Sequence, residues 1–418
     1  MNFFGNNLKN LSIYAVGQAV NVVSPLLVVP FIVMHCGEAN LGRIGIGFAF
    51  AMMAIVLVDG GSYINGTREI AVSNTNPSQL RRHFTRIYLG KLFVLLVVLM
   101  LSAAIIFAVP FLRRDWMQMC LSLIIVVGQA VNPMWFFQGV QNFKWITILN
   151  ILSKAIYVGG VFWLVSLPAD YVYVNALWGL GMIFSGAMGV AVIIINYGFY
   201  WRPGVMRHAM LLVFKEFPLT LSQLFFSLYQ YIPVVLVGFF GGDFMAGQYR
   251  IIEQVVMVFR TGLQTFFNFV YPQVCSVIYQ DKLSGIRTWQ KINLAGYALV
   301  VMALVVFYWQ AYPILQFFKV GPADLSVMVH YFRIALFLPL IMGVTFSLRQ
   351  LVFAFKRERL YIFLTIGATL VMMALLAWLV NLYGLAAVFA TLIGVEFLIA
   401  VGYGVILRDL THKPKVNG

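Results

Sequence analysis

Apolar residues run along this chain in blocks of bilayer length, separated by short polar breaks, from one end to the other. A helix needs roughly 20 apolar residues to cross a hydrocarbon core. About twelve blocks meet that length. Their centres lie near Asn21, Ala54, Val98, Val127, Ile156, Phe184, Tyr229, Phe259, Ala303, Leu340, Met372 and Ile393. The breaks are rich in Gly, Pro, Asn and charge, the residues that interrupt helices. The longest run from Thr67 to Arg86 and from Tyr197 to Lys215, and none could hold a folded domain. The pattern predicts an all-α integral membrane protein.

Composition agrees. Of 418 residues, 62% are hydrophobic and only 10% charged, with a mean hydropathy of +0.91. One water-soluble core cannot hide that much apolar surface, so lipid must be the solvent. The first block is too long for a secretion signal and lacks a small-residue cleavage site, so it reads as a permanent first span. Cys36, Cys120 and Cys275 match no metal spacing and read as small apolar residues without a bridge.

The net charge of +15 could suggest nucleic acid. The basic residues sit in short loops between apolar blocks, which reads instead as a topological signal. One set of loops carries Lys9, then Arg68, Arg81, Arg82, Arg86 and Lys91, Lys144, then Arg202, Arg207 and Lys215, Lys282, Arg287 and Lys291, Lys356, Arg357 and Arg359, and finally Arg408, Lys413 and Lys415. The alternate loops carry only Arg43, Arg113, Arg114 and Lys319. The first set is therefore expected in the cytoplasm, with both termini inside.

Two stretches hint at duplication. The first span reads PLLVVPF from Pro25 to Phe31, followed by a turn through Gly42. The seventh reads PVVLVGF from Pro233 to Phe239, followed by a turn through Gly247. A six-plus-six repeat gives two lobes, residues 1–205 and 206–418, a common transporter plan.

Some charges fall inside the blocks: Lys154, Arg250, Arg260, Arg333 and Arg349, with Asp59, Glu253 and Glu396. Each costs roughly 2.5–3.5 kcal/mol at the bilayer centre, so such residues face protein or a water-filled space. In the eighth span Arg250, Glu253, Met257, Arg260, Gln264, Asn268 and Tyr271 recur every three or four residues, forming one helix face. Glu253 can pair with Arg250 three residues away. Arg260 has no acid at helical spacing, so its partner must come from another helix, water or a substrate. The first span aligns Asn10, Tyr14, Gln18, Asn21 and Pro25, and the seventh aligns Thr220, Gln223, Ser227 and Gln230. Such stripes either join helices by hydrogen bonds or line a hydrated cavity. Arg333 and Arg349 lie toward span ends and could snorkel, which ranks Arg260 and Lys154 above them and above Arg250. A cavity lined by permanent cations favours an anion, and guanidinium forks onto phosphate oxygens.

No phosphate-cradling GxxxxGKS or GxxxxGKT motif, no HExxH and no His/Cys cluster occurs, and the five histidines are scattered. No long loop offers a site for glycan polymerisation or ligation. These features point to a carrier without cofactor or metal rather than an enzyme.

Three stretches carry a family resemblance. They are LVDGGSYINGTREIA (Leu57 to Ala71), NPMWFFQGVQNFKWITILNILSKA (Asn132 to Ala155) and YRIIEQVVMVFRTGLQTFFNFVYP (Tyr249 to Pro272). The chain resembles the polysaccharide-type flippases of the multidrug/oligosaccharidyl-lipid/polysaccharide exporter superfamily, especially the O-antigen (Wzx-type) flippases. The resemblance spans essentially the whole chain. It implies two six-helix lobes around a central cavity, alternating access, and location in the bacterial inner membrane. The implied cargo is an undecaprenyl-pyrophosphate-linked oligosaccharide moved to the periplasmic leaflet, with membrane lipids and the pathway's polymerase and chain-length machinery as partners. Arg260, with Lys154 and Arg250 or Arg349, would offset pyrophosphate charge, and Asn, Gln and Tyr would take sugar hydroxyls. Asp59 either pairs with a base such as Arg68 to lock a helix end or acts in gating. Coupling to protons or another ion would need a titratable group, for which Asp59, Glu253 and Glu396 are the candidates. The chain departs from the lipid II branch, whose two additional spans form a hydrophobic groove, so that groove is not carried over. A drug or metabolite antiporter of the same superfamily is the alternative; it would want an acidic interior, and this one is basic.

Overall fold

The computed structural model describes residues 2–61, 65–74, 76–198 and 205–412, with the side chains of 2–16, 18, 212, 215, 216, 218, 219, 222 and 409–412 left out. Among these residues the fold is helical without strands. In order the helices are α1 (Asn2–Cys36), α2 (Glu38–Asp59), α3 (Thr67–Val72), α4 (Pro77–Ala108), α5 (Pro110–Arg113), α6 (Trp116–Val131), α7 (Met134–Gly139), α8 (Phe143–Leu164), α9 (Tyr173–Tyr197), α10 (Val205–Gln280), α11 (Lys282–Trp309), α12 (Ala311–Phe317), α13 (Leu325–Ala335), α14 (Phe337–Ala354) and α15 (Glu358–His412).

Sequence sets the helix ends. Asn76 caps α4, its side chain accepting from the backbone N–H of Ser78 and Gln79, with Pro77 in the first turn. Asp281 caps α11 through Leu283 and Ser284 in the same way. α10 and α15 are broken internally at Gly242 (φ 84°) and Gly384 (φ 60°). A side chain resists that backbone region, so each glycine ends one span and starts the next. Among the described residues ten stretches are long and apolar enough to cross a membrane. The two containing these breaks, Gln223–Gln280 and Glu358–Arg408, each supply two crossings, which brings the total to about twelve. Every block centre expected from the hydrophobic pattern falls inside one of them. Large side chains such as Trp163, Ile195, Trp309 and Trp378 stay exposed, as lipid-facing positions should.

The chain divides into two compact units, Met1–Tyr231 and Ile232–Gly418. In the first, α9 packs against α6 and α8, α1 against α8, and α2 against α6. Close approach is achieved by small residues. A methyl added at Gly128 of α6 would stand 2.8 Å from the carbonyl oxygen of Gly179 in α9. One added at Gly179 would strike the α6 backbone at Ile124 and Ile125. At one end of this unit Ile70, Leu80, Phe84, Ile87, Trp135, Phe136, Phe137, Ile146, Leu149 and Ile193 form a buried cluster. In the second unit α14 packs against α15 and α11, and α13 against α15.

Candidate functional site

In the first unit, three helices meet at one carboxylate. Lys91 of α4 donates to Asp59 Oδ1 at the end of α2 (2.9 Å), and Gln129 of α6 donates to Asp59 Oδ2 (2.9 Å). Lys91 also donates to the Gln129 carbonyl (3.2 Å). Lys91 is only 3% exposed. This corrects two expectations. Lys91 is a buried charge inside a membrane-length helix rather than a loop cation, and the base that pairs with Asp59 is Lys91 rather than Arg68.

Lys154 of α8 is 8% exposed, and its Nζ lies 3.2 Å from the ring centroid of Trp178 in α9. Tyr157 meets the same ring edge-on at 4.8 Å between centroids, and Phe48 of α2 does so at 5.2 Å. Among the described residues no carboxylate lies within ion-pair distance of Lys154. A desolvated ammonium on an indole face is stabilised by about 2 kcal/mol.

The stripe of the seventh span belongs to the first half of α10. Thr220 and Ser227 are buried, and Ser227 donates to the Met52 carbonyl of α2 at 3.5 Å. Gln223 and Gln230 are half-buried. At that helix the interhelical hydrogen-bonding reading holds for Ser227. Asn21 is half-buried in α1, while the side chains of Asn10, Tyr14 and Gln18 lie outside the described residues.

In the second unit, Arg250 pairs with Glu253 one turn along α10, as the spacing predicts. Glu253 also accepts from the buried Tyr249 hydroxyl (3.5 Å). Arg260, about 15 Å further along the helix axis, is half-buried and has no carboxylate at ion-pair distance among the described residues. Its hydrogen bond goes to Met257 Sδ at 3.8 Å, a weak acceptor. Arg349 of α14 donates to Gln264 Oε1 (2.9 Å), and Gln264 passes a hydrogen bond to Asn268 Oδ1 (2.9 Å). The Arg349 guanidinium also stacks on Phe346 (4.0 Å) and Phe267 (4.7 Å). Arg333 lies over the Tyr308 ring at 4.8 Å in the last turn of α13. Glu396 of α15 is buried at 3% exposure.

The structure thus joins Gln264, Asn268 and Arg349 into one relay, and Arg250 and Glu253 into an ion pair. Lys154 and the Asp59 clamp are separate features of the first unit. Sequence reading missed Lys91, Gln129 and Trp178. A buried base facing an acid on another helix has no sequence spacing to betray it. Chemically, Arg260 and Lys154 are cations whose charge no described carboxylate balances, and the relay adds amides that both donate and accept.

A family described as polysaccharide biosynthesis protein matches residues 7–277. A putative O-antigen transporter of Escherichia coli strain K12 is 22% identical over 302 residues, covering 71% of this chain and 72% of that protein. Among solved structures, the lipid II flippase MurJ in an inward closed conformation superimposes with a TM-score of 0.70 at 13% identity, covering 94% of this chain and 87% of that one. An inward-facing multidrug resistance MATE family transporter of the MOP superfamily gives 0.68 at 12% identity, covering 96% and 97%. At such identities the structural likeness shows the fold.

Proposed function

The chain belongs to the polysaccharide biosynthesis protein family, and from that premise we propose that it flips undecaprenyl-pyrophosphate-linked oligosaccharide, an O-antigen or related repeat unit. Movement runs from the cytoplasmic to the periplasmic leaflet of a bacterial inner membrane, with both termini in the cytoplasm. The protein is a multi-pass membrane transporter, not an enzyme. The bound headgroup is exposed alternately to the two sides of the membrane. Arg260 carries this reading. It lies within a membrane-length stretch, half-buried, with no carboxylate beside it among the described residues and a thioether as its acceptor. An unbalanced guanidinium at such a place favours an anionic ligand. In the second unit Arg250 and Arg349 add positive charge and Gln264 and Asn268 supply hydrogen-bonding groups for sugar hydroxyls; in the first unit Lys154 is the cation, and Asn21, Gln223 and Gln230 are the hydrogen-bonding groups. Asp59, Glu253 and Glu396 are the carboxylates available for gating or ion coupling. Polymerase and chain-length proteins of the same pathway are the expected partners downstream.

The test is Arg260→Ala in cells that depend on this protein for surface polysaccharide. Polymer output falls while protein level stays normal, and Arg260→Lys restores part of it. Unchanged output from the alanine variant would overturn the role of Arg260. A cationic drug antiporter is disfavoured by the same unbalanced cations, and extrusion of cationic dyes by purified protein would support it instead.

A further inference from the structure

Arg349 belongs to a polar cluster inside the second unit, built by α14 and the two halves of α15. Its guanidinium donates to Gln264 and is also hydrogen-bonded to the Tyr361 hydroxyl. Tyr361 stacks on the buried Tyr403 at 6.0 Å between ring centroids. The Tyr403 hydroxyl bonds to the Thr365 side chain, and Thr365 donates to the Tyr361 carbonyl one turn back (2.9 Å). Phe353 of α14 meets the Tyr361 ring edge-on at 4.8 Å. Three helical segments are thus joined around two tyrosine hydroxyls.

Glu396 is the acid of this cluster. It is buried on the second half of α15, two turns before Tyr403 and on the same helix face. Glu396 and Arg349 act electrostatically, with opposite sign, on both Tyr361 and Tyr403. Among the described residues they are the charged side chains that reach both rings. A carboxylate and a guanidinium are each costly to bury alone inside a membrane-length stretch, and held near one another they offset that cost. Salt screens such a buried pair far less than it screens surface charges. Arg349 Nε is buried without a partner. One donor of the guanidinium therefore stays open, while Gln264 and Tyr361 occupy others. Arg260 differs, because no described carboxylate shares its neighbourhood in this way.

We propose that Glu396 is the internal counter-ion of Arg349 and sets how tightly this cation holds the anionic headgroup of the cargo. The buried carboxylate attracts the guanidinium, and the Tyr361 hydroxyl keeps one of its donors engaged. An incoming phosphate has to compete with both. The result is a cation that binds an anion and still lets it go, which a carrier requires of every site on its route. Glu396 and Tyr361 are positioning residues that act through Arg349. This inference rests on the flippase reading and adds what tunes the anion affinity of its second unit.

The experiment measures binding of inorganic pyrophosphate to the full-length protein in phosphatidylethanolamine nanodiscs, by isothermal titration calorimetry at fixed pH and salt. Glu396→Gln removes the charge and keeps the shape, so pyrophosphate affinity rises about threefold or more. Tyr361→Phe frees a guanidinium donor and raises affinity as well. A merely structural role predicts the opposite sign, because damaged packing weakens binding. Arg349→Gln lowers affinity, and adding Glu396→Gln to it brings no gain, since the carboxylate acts through the guanidinium. Tyr361→Phe decides alone where the glutamine variant does not fold. If the folded variants bind pyrophosphate as wild type does, or more weakly, the counter-ion assignment is overturned and the flippase reading stands. The same gain from Glu396→Gln in the Arg349→Gln background would also overturn it. Wild-type protein that binds no pyrophosphate would overturn the assignment together with the anionic-cargo reading.

Discussion

Lys91 Nζ lies 2.9 Å from Asp59 Oδ1, the lysine buried, the aspartate half-buried, and Gln129 closing the other carboxylate oxygen. This ion pair ties α2, α4 and α6 together. Breaking a buried pair from one side leaves an uncompensated charge, at a cost of about 3–5 kcal/mol. Asp59→Leu and Lys91→Met should each lower Tm in detergent strongly, and the double variant should recover most of the loss. A purely additive double variant in thermal unfolding would refute the coupling.

Lys154 behaves in the opposite way. It is a buried ammonium held by a ring face and not by an acid. Its insertion cost of about 2.5–3.5 kcal/mol is only partly offset by the cation–π contact. Lys154→Met should therefore keep or raise Tm by a few degrees while lowering polysaccharide output. A fall in Tm with unchanged output would assign Lys154 to structure alone.

At the α6–α9 contact, backbone meets backbone. Gly179→Leu pushes a side chain into Ile124 and Ile125 with no flexible neighbour to yield. The protein should lose about 3 kcal/mol or more, visible as low membrane level. Gly159, whose added methyl meets nothing within 4 Å, is the control and should tolerate alanine within about 0.5 kcal/mol.

Between α2 and α4, Glu69 lies 2.9 Å from His83 Nδ1 and 2.7 Å from Arg86 Nη2. Its hydrogen bond to His83, reinforced by Arg86, holds the Glu69 carboxyl below the ordinary value of 4.5. A depressed folded value means the contribution is complete above the unfolded value and disappears as pH falls through the folded one. The pair is partly solvated, so its weight is about 1 kcal/mol or less. Amide protection factors in α3 and the start of α4, corrected for the intrinsic pH dependence of exchange, should fall as pH drops below 4.5, and Glu69→Gln should flatten that dependence. An unchanged acid profile in the glutamine variant would exclude Glu69 as the source.

The spans were legible because lipid leaves helices little choice: apolar length and polar breaks set them directly. Arg250 and Glu253 were legible as a pair because they share one helix at i and i+3. Lys91 was not. It follows Arg81, Arg82 and Arg86 in a basic run that looks like loop, yet α4 begins at Pro77 and carries Lys91 inward. Its acid stands thirty-two residues earlier on another helix. The ring beneath Lys154 was hidden for the same reason. It arises from a neighbour that only tertiary packing supplies, and a lone tryptophan in an apolar run has many uses.

Thr67 donates its hydroxyl to the Trp135 carbonyl at 3.1 Å, and a methyl on Gly139 would stand 2.6 Å from Ile70 Cγ2. The stretches around Leu57–Ala71 and Asn132–Ala155 are therefore two faces of one joint. A methyl at 139 would also stand 2.7 Å from Ile70 Cβ and 2.9 Å from the Thr67 carbonyl oxygen, so no smaller residue at 70 makes room and the backbone of α3 holds position 139 to glycine. A chimera that imports one stretch without the other has to keep both sides of this close contact, whatever cargo its donor handled.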